Sequence, residues 1–319
     1  MKNRTTTILI IVACCMVGAG AALFLISSAI GGTSIGRIAA SDNKIYTDAD
    51  ILSKSDKLDS FDSIETDSSS LNIEFYKGEG YSYDCKYYED FEPEISVSNN
   101  TLHIKSPKKS FNLSLTLGVN DSNAVYVKVC VPDDDTLYRI NCNQSSGSTS
   151  FDGINITGKL EETSGDFYIK GSNTTENLSA KMSSGDLAIS DCKLSELKLD
   201  ETSGNCELSN IECSSIVHTA SSGDFELTDV TAEAFSTDIT SGSVDVSRLD
   251  AKDIRCEATS GNIDLNLVGT SDDYNYDVRK TSGSVEIDDE SIADDYHVDK
   301  DRDRSVTIDI TSGDVDVEF

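Results

Sequence analysis

Six carboxylates, Glu207, Glu226, Asp245, Asp264, Glu286 and Asp316, stand at one offset of a recurring pattern, three residues after the glycine of [TS]-S-G-[DNS]-x-x-φ. The same offset earlier in the chain holds Tyr168 and Ala188. Carboxylates brought into a line can collect Ca²⁺, which takes several oxygen ligands, or a cationic polymer or peptide. A solvated acidic face on an acidic protein is the competing reading. Like charges one strand spacing apart repel by about 0.9 kcal/mol per neighbour in water, so the line is tolerated at a cost. A neighbouring offset, one after the glycine, reads Asp166, Asp186, Asn205, Asp224, Ser243, Asn262, Ser284 and Asp314, which suits hydrogen bonding along the turns more than a ligand.

The other chemistry-bearing residues are sparse. Cys85, Cys130, Cys142, Cys192, Cys206, Cys213 and Cys256 are an odd number, so at least one stays unpaired within a monomer. Cys130 with Cys142 is the candidate disulfide, because only the Pro132–Asp135 turn separates their strands. Cys192, Cys206, Cys213 and Cys256 fall in apolar columns and read as buried thiols. His103, His218 and His297 lie far apart, no C-x-x-C occurs, and His218 sits in an inward column. No G-x-S-x-G elbow or nucleophile–histidine arrangement is present, so catalysis is not expected.

What must position these residues is an internal repeat. Ser-Gly recurs with its glycine at 147, 165, 185, 204, 223, 242, 261, 283 and 313, at spacings of 18, 20, 19, 19, 19, 19, 22 and 30. Columns two and four after the glycine are apolar, from Phe167 and Ile169 to Val315 and Val317. Further apolar columns stand seven before it (Leu178, Leu197, Ile216, Phe235, Ile254) and seven after it (Cys192, Ile211, Val230, Leu249, Val268). Period-two alternation of β-branched and aromatic residues is the strand signature. Each unit is too short to bury anything alone, so units stack, and residues 143–319 are expected to form an all-β, single-strand-wound β-solenoid of about 19 residues per coil. The 30-residue spacing is expected to extrude a polar loop over 288–304. Residues 59–142 lack the period and are expected to form an N-terminal β cap, with strands over 70–75, 94–97, 101–105 and 125–131 and a hairpin turn at Asn99–Asn100.

Charge and composition set the location. The 319 residues carry 26 Lys and Arg against 57 Asp and Glu, a net −31, which excludes a nucleic-acid surface. Residues 5–30 contain no charge and are long enough for one transmembrane helix, with Lys2 and Arg4 keeping residues 1–4 in the cytoplasm. A cleaved signal peptide and a lipobox at Ile11-Val12-Ala13-Cys14 are the alternatives. Residues 31–58 read as a flexible juxtamembrane stalk. The localisation expected is a single-pass cell-membrane protein with its C-terminal part extracellular, carrying a net −33 there.

The run Asn99 to Ile104, then Val127-Lys128-Val129-Cys130-Val131-Pro132, then Ser145-Ser146-Gly147 and the Ser-Gly-Asp units resembles the bacterial putative adhesin family, a domain of unknown function that includes LiaG-like envelope proteins. The resemblance spans about Phe61 to Phe319. It implies a β-solenoid on a bacterial surface with no established activity, acting in adhesion, interaction or scaffolding with a cell-envelope protein or polymer. No cell-wall sorting motif is evident at the C-terminus. Two further readings stay open: a homo-oligomer stacking through an open final unit, Thr311–Phe319, and a carbohydrate-active β-helix enzyme.

Overall fold

The computed structural model describes residues 37–41, 44–46, 50–107, 113–116 and 125–319. The expected transmembrane helix, residues 5–30, lies outside the described residues. Among the described residues no helix is long and apolar enough to cross a membrane.

The chain forms two compact units. One contains an antiparallel sheet of β1 (Arg37–Ser41), β2 (Lys44–Tyr46) and β9 (Leu113–Thr116). It also holds a small apolar cluster of Tyr88 and Phe91 with Ile51 and Val125. Together with β3 (Ile51–Lys57) these strands correct the expectation of a flexible stalk for the described residues of 31–58. Backbone pairing needs no apolar side chains, and β3 is exposed along most of its length.

The other unit is a parallel β-solenoid. Its N-terminal strands are β4 (Ser63–Ser68), β5 (Ile73–Gly78), β6 (Ser82–Tyr88), β7 (Glu94–Ser98), β8 (Thr101–Lys105), β10 (Tyr126–Pro132) and β11 (Leu137–Asp152). The middle is built from β12 (Asn155–Lys170), β13 (Leu178–Met182), β14 (Asp186–Lys193), β15 (Glu196–Glu201), β16 (Asn205–Ala220), β17 (Asp224–Ile239), β18 (Ser243–Ser260) and β19 (Asn262–Leu267). The C-terminal strands are β20 (Tyr274–Lys280), β21 (Ser284–Ile287), β22 (Glu290–Ser291), β23 (Asp295–Val298), β24 (Arg304–Ser312) and β25 (Asp314–Glu318).

Register between β16 and β17 runs at an offset of 19 through three straight runs, 205–209, 211–213 and 215–220. The breaks between them mark three corners. One is the Ser-Gly turn. A second lies six residues after each glycine, where Gly153, Gly171, Asp191, Asn210, Asp229 and Arg248 all have positive φ between 53° and 70°. Asp and Asn tolerate that conformation better than other side-chain-bearing residues. Inward columns at +2, +4 and −7 are buried as expected, from Phe167 and Leu187 to Phe235 and Ile254. The column at +7 holds for Cys192, Ile211, Val230 and Leu249. It fails at Val268, because a register shift after Val246 pairs Leu249 with Leu267 and buries Leu267 instead.

Three expectations are corrected at the ends. The N-terminal region is solenoidal rather than a separate cap: β4 and β5 pair in parallel with β11, and β8 and β10 pair in parallel with β4 and β5. Leu71 occupies the place of the glycine there, so the Ser-Gly marker is missing. Antiparallel β7 closes this end through the Asn99–Asn100 turn, with φ of 50° and 64°. At the other end, chain order and spatial order part. β24 lies between β18 and β20, and β25 lies between β19 and β21. Thr311–Phe319 is therefore an interior coil and cannot be the open stacking end. Residues 288–304, expected as an extruded loop, supply β22 and β23, which pair antiparallel with β21 and β20 and close the end, and Arg304 begins β24.

The glycine column fixes how closely coils approach. A Cβ at Gly204, Gly223 or Gly242 would stand 2.1 Å from the carbonyl oxygen of the preceding glycine in the stack, and φ there is +125° to +136°, accessible in practice to glycine alone. Gly223→Ala is expected to lower the thermal midpoint by roughly 6–12 °C, equivalent to about 3 kcal/mol of strain and displacement. Gly80→Ala, with φ +79° and nothing within 4 Å, is expected to cost less than half of that. Circular-dichroism melts of the two variants check the difference.

Candidate functional site

The carboxylate column forms on the first side of each coil because period-two alternation turns offset +3 outward between buried offsets +2 and +4. Register pairs Glu207 with Glu226, Glu226 with Asp245, Asp245 with Asp264, Asp264 with Asp316, and Asp316 with Glu286. All six expected residues are thus brought into one line, with Asp316 preceding Glu286 because of the inverted coil order. Asp316 is half-buried and the other five are exposed. Burial first, then the charges of Asp245 and Asp316, raise the Asp264 carboxyl above the usual range. Asp245, Asp264, Asp316 and Glu318 with Asn266 and Arg248 border a groove of about 520 Å³.

The neighbouring columns behave differently. At offset +1, Asn205 donates to Asp186 at 3.0 Å, and Ser243 and Ser284 donate to Asp224 and Asp314 at 2.5 and 2.6 Å. That column is a structural ladder, as its composition suggested. On the second side and at the corners that bound it, opposite charges meet across coils: Lys193 with Glu212 at 2.5 Å, Arg248 with Asp229 at 2.9 Å and Lys252 with Glu233 at 2.6 Å. Among the described residues, no ion pair engages any of the six carboxylates of the ladder. They also do not converge: no group of three or more His, Cys, Asp or Glu among the described residues could hold a metal ion. One carboxylate per coil gives a track, not a cage.

The interior carries polar groups that the column reading did not place. Offset −3 is inward, and it buries Gln144, Glu162 and Glu201. The Thr149 hydroxyl donates to Gln144 Oε1 at 2.5 Å. His218, expected inside, accepts or donates at Nδ1 to Thr237 Oγ1 at 2.9 Å, stacks on Phe225 with ring centroids 3.9 Å apart, and places Nε2 3.9 Å from Glu201 Oε2. A repeated Gln or Glu three residues before the Ser-Gly glycine was the available signal.

All seven described cysteines are buried and free. This corrects the Cys130–Cys142 disulfide. Cys142 lies on the inward parity of β11 beside Tyr138 and Ile140, whereas Cys130 alternates with inward Val129 and Val131 and lies over Gly78 on the other face of the wall. Proximity along the chain does not bring thiols on opposite faces together. Burial pushes Cys142, Cys213 and Cys256 up to about 12 and Cys85 to about 11, so none of these four is a ready thiolate.

The Toastrack DUF4097 family matches residues 61–318. No curated protein gives a match. Among solved structures, the chain is similar to a protein named "putative adhesin" from Parabacteroides distasonis, at 12% identity over 84% of this chain and 96% of that one with a TM-score of 0.43. A second "putative adhesin", from Bacteroides fragilis, has 12% identity over 84% and 96% with a TM-score of 0.42. A "putative cell adhesion protein" from Clostridium sporogenes has 10% identity over 84% and 99% with a TM-score of 0.27.

Glu162 yields a prediction of its own. Burial, then Asp166 and Asp186, raise its carboxyl from 4.5 to about 8. An acid raised in the folded state favours folding of the protonated form, so stability is undiminished below about pH 4.5, falls as pH rises toward 8, and levels off above that. Glu162→Gln is expected to melt several degrees above the parent protein at pH 8 and level with it at pH 4.5. Melting curves across that range check the sign.

Proposed function

We propose, on the premise that the chain belongs to the Toastrack DUF4097 family, that it is a non-catalytic envelope scaffold whose carboxylate track engages a cationic polymer or peptide. The observation that carries this reading is the contrast between columns. Charges 19 residues apart are opposite in sign and paired on the second side of the coils and at its corners, and the third-side stack of Asp238, Glu257 and Asp309 has Arg255 paired with Glu257. The +3 column instead stacks six acids beside a groove, with no ion pair among the described residues. A flexible cation-bearing chain can follow carboxylates spaced ~4.8 Å apart, and each contact relieves repulsion already present. The charge-free residues 5–30, with Lys2 and Arg4 before them, support a membrane anchor that holds this unit outside the cell. Calcium remains a competing ligand for the same oxygens, though their one-per-coil spacing suits a polymer better than an ion needing convergent donors.

Oligolysine titrated by calorimetry at low salt tests this. Carboxamide replacement at Glu226, Asp245, Asp264 and Asp316 is expected to weaken binding at least tenfold and to flatten its salt dependence. An equal neutralisation at Glu161, Asp200, Asp238 and Asp309, on the third side, is expected to change it less than threefold. Equal losses in both variants would reduce the track to bulk charge. A rise in melting temperature with calcium that the first variant abolishes, without oligolysine binding, would assign the column to the metal instead.

A further inference from the structure

The last strands of the chain fill a slot between coils that are already consecutive in sequence. β19 leads through Val268–Asp273 to β20, yet β24 and β25 lie between them, pairing on both edges. A Cβ at Gly313 would meet the Gly261 carbonyl at 1.9 Å, and one at Gly283 would meet the Gly313 carbonyl at 1.8 Å, so the glycine stack itself runs 261, 313, 283. Val306, Ile308, Ile310, Val315 and Val317 are buried in this slot. Until residues 304–318 arrive, the β18–β19 edge and the β20–β21 edge both face an empty layer, and any strand pair with the same sequence satisfies them equally.

We infer that this slot is a strand-exchange site whose alternative occupant is Arg304–Phe319 of a second copy of the chain. The connecting hinge is built for it. β23 pairs with one edge of β20 and β24 with the other, so Asp299–Asp303 must cross two strand spacings, ~10 Å, in five residues. Asp301 takes φ +55° in doing so. Lys300 Nζ is tied to Ser271 O at 2.9 Å and Asp272 at 3.0 Å, and Arg302 Nε to Asp272 O at 2.9 Å, which holds the crossing tight against the preceding turn. A short, strained hinge favours exchange, because opening it relieves the strain while every strand contact is remade between copies. The acidic outward residues Asp314, Asp316 and Glu318 disfavour open-edge association in general, which leaves the matching slot as the productive destination. This inference is independent of the carboxylate track's ligand.

Asp264 and Asp316 are register partners on adjacent strands and provide the reporter. Two differently tagged full-length copies, one Asp264→Cys and the other Asp316→Cys, are unfolded together, refolded across a range of concentrations and oxidised. The expected result is a disulfide between the two tags whose yield rises with concentration, in a discrete dimer by light scattering. Asp301→Gly is expected to lower the dimer fraction several-fold by relieving the hinge. The inference is overturned if the tags never link while a single copy carrying both cysteines closes internally, if dimers form without the 264–316 link, or if Asp301→Gly leaves the dimer fraction unchanged. Light scattering of the unsubstituted chain, refolded dilute and concentrated, gives the same decision without any cysteine: a strictly monomeric product at every concentration overturns it.

Discussion

Everything in the solenoid hangs on the contact between one glycine and the next. Where Gly223 lies over Gly204 and Gly242 over Gly223, there is no room for a Cβ above the carbonyl oxygen of the coil below. That contact sets the corner at one strand spacing and locks the phase of the coil. With the phase fixed, period-two alternation decides which residues are inside, and the modest apolar fraction of the chain becomes sufficient. Only the inward columns need to be apolar, because the interior is thin. The same phase lines up the outward columns, so charges that are distant in sequence become lateral neighbours without any choice at the level of the side chain.

Regularity of this kind makes the ends the difficult part. A stack of parallel strands exposes an edge at each end, and such an edge recruits other strands. Both ends answer it in the same way: antiparallel β7 covers β8, and β22 and β23 cover β21 and β20. In both cases the covering strands come from a segment without the Ser-Gly marker, and chain order departs from spatial order. At the N-terminal end the layer of β4 and β5 precedes the outer layer of β8 and β10 in sequence, and at the C-terminal end the outer layer of β20 and β21 precedes β24 and β25.

This explains what the sequence made legible. The repeat, its sidedness and the alignment of Glu207, Glu226, Asp245 and Asp264 follow from a constant offset, because equal spacing means equal phase. Coil neighbourhood does not follow where spacing changes. The units at Gly283 and Gly313 have the same local pattern, and nothing in that pattern says which lies against Gly261. Leu71 in the glycine place hid the first coils. The left-handed corner was visible only as the mixed run Gly153, Gly171, Asp191, Asn210, Asp229 and Arg248, whose common property is a backbone angle and not a chemistry. Cys130 and Cys142 are close along the chain, but the parity of their strands puts the two thiols on opposite faces of the wall, and chain distance alone does not show that.

The carboxylate column gains its meaning from the columns beside it. A phase-locked stack repeats every side chain against its counterpart 19 residues on, and an acidic chain could be expected to scatter repulsion over all its faces. Much of it is relieved: Lys193 faces Glu212, Arg248 faces Asp229, Asn205 and Ser243 interrupt the aspartates at offset +1, and where Asp238, Glu257 and Asp309 stack on the third side Arg255 pairs with Glu257. At offset +3 the substitutions that relieve repulsion elsewhere are missing from Glu207 through Asp264, and the inserted last coil adds Asp316 between Asp264 and Glu286. Each neighbouring pair costs about 0.9 kcal/mol in water before screening, a penalty that a single Ser or Lys would remove. A surface that only had to stay soluble would be served as well by alternating signs, and the unrelieved column is the ground on which the proposed cationic partner rests.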